Sequence, residues 1–110
     1  MKFHDLSVLG IEYVPEVKGI IFLLINENGK KVKVCFTDVV HWSFSPFTSQ
    51  NVLFDINMYS KDYIPEGLFD DYEVHSYYRN YINNDGYCLF ELDSSVGMGG
   101  YIIAKEIIYL

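Results

Sequence analysis

VKGIIFLLINENGKKVKVCFTDVVHWSF, running from Val17 to Phe44, is the stretch that decides the fold. Its first part, Val17 to Ile25, is apolar on both alternating sets: Val17, Gly19, Ile21, Leu23 and Ile25 on one, Ile20, Phe22 and Leu24 on the other. Side chains alternate across a strand, so this run reads as a central strand buried on both faces or nearly so. Asn26-Glu27-Asn28-Gly29 follows and marks a hairpin turn, because Asn and Gly tolerate positive φ. The return strand from Lys31 places Val32, Val34, Phe36, Asp38, Val40, Trp42 and Phe44 opposite Lys33, Cys35, Thr37, Val39, His41 and Ser43. Asp38 breaks its apolar row. A bulge near Asp38 is the preferred explanation, since a long strand has to bend to follow a curved sheet. Trp42 and Phe44 read as core, and Pro46 and Phe47 as exposed loop.

Working outward, a strand from about Asp5 to Val14 ends at Pro15, which fits an edge or terminal position. Ser45 to Gln50 is a loop by its turn residues. Val52, Phe54, Ile56 and Met58 then alternate with Asn51, Leu53, Asp55, Asn57 and Tyr59, the pattern of a half-buried strand. Lys61 to Asp70 holds Pro65 and Gly67, has little periodicity and reads as a mobile surface loop. One helix is expected near residues 71–83, with Val74, Tyr77, Tyr78, Tyr81 and Ile82 as its buried stripe. Asp70 or Asp71 is its expected cap, and Asn83-Asn84-Asp85-Gly86 closes it. Cys88, Phe90 and Leu92 alternate with Tyr87, Leu89, Glu91 and Asp93, Ser94 to Gly100 turns, and Tyr101 to Leu110 is the closing strand. The order β-β-β-β-α-β-β predicts an α+β, mainly β fold: a curved antiparallel sheet of about six strands with one helix packed on it.

At 110 residues, half of them hydrophobic, residues 1–110 are expected to form a single domain with enough apolar surface to fold alone. The start, Met-Lys-Phe-His-Asp-Leu-Ser, has no apolar stretch of the secretory kind, and no run is long enough to span a bilayer, so a cytoplasmic protein without membrane contact is expected. Cys35 and Cys88 read as buried thiols in a reducing compartment; neither has metal-ligand spacing, and no cofactor is expected. Residues 1–54 balance five acids against five lysines. Residues 55–110 set ten acids against Lys61, Arg79 and Lys105, which is the whole net charge of −7. That excess of acid argues against nucleic-acid binding, and Lys30, Lys31 and Lys33 read as a solvated hairpin end.

The densest acid lies among aromatics: Asp62, Tyr63, Glu66, Asp70, Asp71 and Glu73. Aromatic rings supply contact area while carboxylates steer, so these residues are the candidate docking surface for another protein with a basic face. Tyr59, Tyr72 and Tyr87 are further candidate anchors nearby. The enzyme alternative needs Cys88, His41, His75, Glu91 and Asp93 to converge. Cys35 and His41 alone cannot form a dyad, since six residues of strand separate them by ~20 Å. A small-ligand domain or small enzyme with a site near the glycine-rich turn at 94–100 is the other alternative, although hairpin geometry explains those glycines more simply. Glu91 and Asp93 share one strand face, as do Asp55 and Asn57. If those strands are neighbours, four oxygen-bearing side chains converge in chemistry that suits Ca²⁺ or Mg²⁺, although a solvated sheet face is the simpler account and no metal site is expected.

The hairpin and three further stretches together carry a resemblance: Asp38-Val39-Val40-His41-Trp42-Ser43-Phe44-Ser45-Pro46-Phe47, Gln50-Asn51-Val52-Leu53-Phe54-Asp55, and Ser95 to Lys105 with its Gly97-Met98-Gly99-Gly100. In style and order the chain resembles small uncharacterised cytoplasmic bacterial proteins of the toxin-immunity kind. That resemblance implies a non-enzymatic inhibitor that occludes a cognate toxin, and the acidic second half suits a basic, nuclease-like partner. It carries no family motif onto any residue.

Overall fold

The central hairpin forms where its pattern requires. In a computed structural model that describes residues 5–110, β1 (Leu6–Val14) is followed by a 3-10 turn at Pro15–Val17, β2 (Gly19–Ile25) and β3 (Lys31–Thr37). Met1 to His4, part of the start read above for a leader, lie outside the described residues. Asn26 shapes the β2–β3 turn: its Oδ1 accepts from the N–H groups of Asn28 (3.0 Å) and Lys30 (2.9 Å), and Gly29 takes φ 80°. The chain continues through β4 (His41–Phe44), β5 (Val52–Tyr59), α1 (Leu68–Asp71), α2 (Ser76–Asn84), β6 (Cys88–Val96), β7 (Gly100–Ala104) and β8 (Glu106–Tyr109).

The protein is mainly β, with eight antiparallel strands in one sheet ordered β4-β7-β6-β5-β1-β2-β3-β8, in place of about six. Two of the expected long strands are each broken once. Asp38 swings into the left-handed region at φ 52° and separates β3 from β4, so the expected bulge is a sharper break; Lys105 separates β7 from β8. The broken strands still track each other, with Val40 N–H donating to Ile103 O (3.0 Å) and Lys105 N–H to Thr37 O (2.9 Å). No ladder joins the end strands β4 and β8, so the sheet is not closed. Yet Asp38–Val40 alone carry the chain from β3, next to one end, to β4 at the other. So short a link forces the sheet to roll on itself.

The roll encloses one core. Phe36 stands edge-on between Phe22 (5.3 Å between centroids) and Phe90 (5.2 Å), among Leu24, Val34 and Ile102. A second core lies outside β6 and β7, where Leu89, Tyr101 and Ile103 meet Leu68, Val74 and Ile82 from the helical region. The helices therefore cover only half of the outer sheet. In β2, accordingly, Ile20, Phe22 and Leu24 are inside, while Ile21, Leu23 and Ile25 on the outer face are half-buried.

Other corrections are local. The single helix expected at 71–83 is two helices, because Glu73 takes φ 54° and ends the first. Neither Asp70 nor Asp71 caps the second; His75 does, its Nδ1 accepting from Tyr77 N–H at 3.0 Å. The segment read as a loop to Asp70 contains the start of α1, anchored by buried Leu68. Trp42 is exposed rather than core, with its ring 5.0 Å from that of Tyr13. In β5 the pairing with β6 shifts around Phe54, which leaves Phe54 exposed and puts Leu53 in the core. Among the described residues no helix is long and apolar enough to cross a membrane.

Candidate functional site

The polar residues of β5 and β6 converge because the two strands are neighbours. Their register sets Asp55 opposite Asp93 and Asn57 opposite Glu91, while the intervening pair, Ile56 and Leu92, points into the core. Alternation then forces all four polar side chains onto the outer face. Half-buried Glu91 is the hub. Its Oε2 accepts from the Tyr72 hydroxyl at 2.7 Å, and its Oε1 from Asn57 Nδ2 at 3.1 Å and the Tyr59 hydroxyl at 3.5 Å. Burial first, and then the carboxylate it donates to, push the Tyr72 hydroxyl above the ordinary phenol range; Tyr59 shifts the same way for the same leading reason. Both phenols therefore stay protonated donors. Asp55 Oδ1 accepts from Ile56 N–H at 2.8 Å.

These oxygens form a row and not a cage. Among the described residues no three or more His, Cys, Asp or Glu side chains are grouped to hold a metal ion, and no cation is paired with Asp55, Glu91 or Asp93. The row continues into the segment before α2. Tyr72 ties that segment to Glu91, and the antiparallel Ser60–Tyr63 bridge brings Tyr63 within 6.2 Å of Tyr59, centroid to centroid.

All six predicted partner-binding residues, Asp62, Tyr63, Glu66, Asp70, Asp71 and Glu73, are exposed in this segment. Tyr63 is 68% exposed, more than any other large apolar or aromatic side chain described. Asp70 differs from the other acids, since Arg79 Nη2 lies 3.1 Å from its carboxylate. That guanidinium is itself fixed, donating from Nε to Val74 O at 2.6 Å and lying over the Phe69 ring at 5.3 Å. Asp62, Glu66, Asp71 and Glu73 have no such cation among the described residues.

A hollow of about 490 Å³ adjoins the row, lined by Ser43, Ser45, Tyr72, Asp93, Ser94 and Gly100 among others. The glycine-rich turn forms one wall, for a structural reason. Gly100 has φ 131°, and a Cβ there would collide with the Ser43 carbonyl, so the turn can pack against β4 only as glycine. Buried Asn51 braces the same turn, its Oδ1 accepting from Met98 N–H (3.0 Å) and Thr48 N–H (2.9 Å).

The structure does not assemble the enzyme constellation. Cys88 pairs with Ala104 and packs on the inner core, whereas His41 pairs with Ile103 on the outer face and stacks on Tyr78 at 3.9 Å. Burial lowers the His41 pKa and raises those of both thiols, which favours the uncharged form of each. His75 is occupied as a helix cap. Of the five residues, only Glu91 and Asp93 share a site. The Tyr72–Glu91 bond escaped sequence reasoning because nineteen residues separate the partners and no local pattern links them.

No protein-family model matches the chain, and neither does any curated protein or solved structure.

Proposed function

We propose that the chain is a non-enzymatic protein-binding module that receives a basic partner on the acidic outer face of β5 and β6 and on the segment 60–73. The observation that carries this reading is Asp55 directly opposite Asp93, with Glu91 beside them and no described cation in reach. Like charges directly opposite on adjacent strands are destabilising, and a cationic surface relieves them. Asp62, Glu66, Asp71 and Glu73 extend the field, and exposed Tyr63 offers an aromatic anchor within it. An immunity-type inhibitor of a basic cytoplasmic toxin is the biological form that this chemistry fits; nucleic acid is not, since it would meet carboxylates.

Deca-lysine is a direct probe. Titrated at low ionic strength and followed by amide chemical shifts, it is expected to move Asp55, Glu91, Asp93 and residues 60–73 first, and added salt should reverse the effect. Shifts spread evenly over Glu12, Glu16 and Glu27 as well, or no shifts at all, would remove the basis of the proposal.

A further inference from the structure

The outer face of β1, β2, β3 and β8 lies away from both helices, and it holds the one part of the central strand whose pattern its surroundings do not match. The registers lay it out as a grid. One row runs Glu12, Ile21, Cys35 and Ile108; the next Gly10, Leu23 and Lys33; the next Ser7, Ile25 and Lys31. Apolar Ile21, Leu23 and Ile25 form the central column. An acid, Glu12, flanks it on the β1 side, and the exposed cations Lys31 and Lys33 flank it on the β3 side. Two hollows flank Leu23. One of about 300 Å³ lies over Gly10, Glu12 and Lys33, and one of about 450 Å³ over Lys31, Val32 and Tyr109. Nothing lies within 4 Å of where a Gly10 Cβ would stand, so that position is a dent in the surface.

We infer that this face is a self-complementary interface that pairs with a second copy of the chain about a two-fold axis running along β2. Two sheets stacked face to face lie ~10 Å apart. A two-fold axis parallel to the strands sets β1 of each copy over β3 of the other, so every contact occurs twice. Lys33 of the second copy then descends over Gly10, where the dent receives its stem, and its ammonium reaches Glu12 in the neighbouring row. The apolar columns meet at the centre, two Glu12–Lys33 pairs fall at the rim, and Lys31 faces the small polar Ser7. A two-fold axis across the strands sets β1 on β1 and β3 on β3, which opposes lysine to lysine, and so it is disfavoured. This surface shares no residue with the acidic face of β5 and β6, so either proposal can fail alone.

Sedimentation velocity of the full chain at micromolar concentration should show a dimer. Glu12→Lys and Lys33→Glu, which change only exposed side chains and should keep the wild-type circular dichroism, are each expected to weaken association about ten-fold or more, because each sets like charges face to face twice. Equimolar mixing of the two single variants should restore a dimer, and so should the double variant, since both then bring opposite charges together again. A wild-type chain that stays monomeric, or a dimer that neither single variant weakens, would overturn the inference. So would two folded, monomeric single variants that fail to associate when mixed.

Discussion

Tyr72 holds the acidic row to the helical segment through one hydroxyl, and its chemistry sets a pH window. The 2.7 Å bond to the Glu91 carboxylate is charge-assisted and half-buried. Removing the hydroxyl in Tyr72→Phe should cost about 1–2 kcal/mol, toward the lower end of such bonds because the site is partly open to water. The folded protein holds the phenolic proton above the ordinary pKa of 10.0. The stabilisation is therefore complete below that value and is lost as pH rises through the folded pKa. Urea unfolding should show wild type and Tyr72→Phe furthest apart below the ordinary pKa of 10.0 and drawing together only as pH rises beyond it. A gap that stays constant with pH would place the hydroxyl's contribution elsewhere. Part of this site was legible in the sequence. Strand alternation fixes that Glu91 and Asp93, and Asp55 and Asn57, share faces, whatever the fold. Which strands are neighbours is a non-local choice, and so is the partner of Tyr72; neither leaves a local mark.

Elements show the same division. The β2–β3 hairpin and the end of α2 at Asn84, followed by Gly86 at φ 77°, follow from turn residues that have few other conformations open to them. The breaks at Asp38 and Glu73 were harder, because each puts a non-glycine residue in the left-handed region, where no propensity would send Glu and only a modest one sends Asp. The helical stripe was legible in part. Ile82 is fully buried and Tyr78 is stacked on His41, but Tyr77, its neighbour in the first turn of α2, is 58% exposed. Ile82→Ala should accordingly cost ~2–5 kcal/mol, whereas Tyr77→Ala should cost less than ~1 kcal/mol. Equal costs at the two positions in denaturant melts would mean that α2 presents a different face to the sheet.

Across the whole molecule, a sheet that rolls around one core and borrows two short helices for a second leaves its acid with few counter-ions. The net charge of −7 comes from the C-terminal half, whose described ion pair, Arg79 with Asp70, neutralises one carboxylate. Directly opposed residues on adjacent strands stand ~5 Å apart, well inside the Debye length of about 10 Å at 0.1 M salt. On the proposed reading the Asp55 and Asp93 carboxylates repel each other at this spacing, and asparagine removes the charge while keeping an oxygen for the Ile56 N–H that Asp55 binds. The pair Asp55→Asn and Asp93→Asn should raise stability by roughly 0.5–1 kcal/mol at low salt. It should also leave the melting temperature less dependent on sodium chloride than that of the wild type. The same substitutions should weaken deca-lysine binding, so that a more stable protein binds less well, as expected where a surface holds its charges for a partner and not for its own fold. If the double variant melts at or below the wild-type temperature at low salt, the two carboxylates are not in conflict, and the acidic face loses its claim to be a waiting interface.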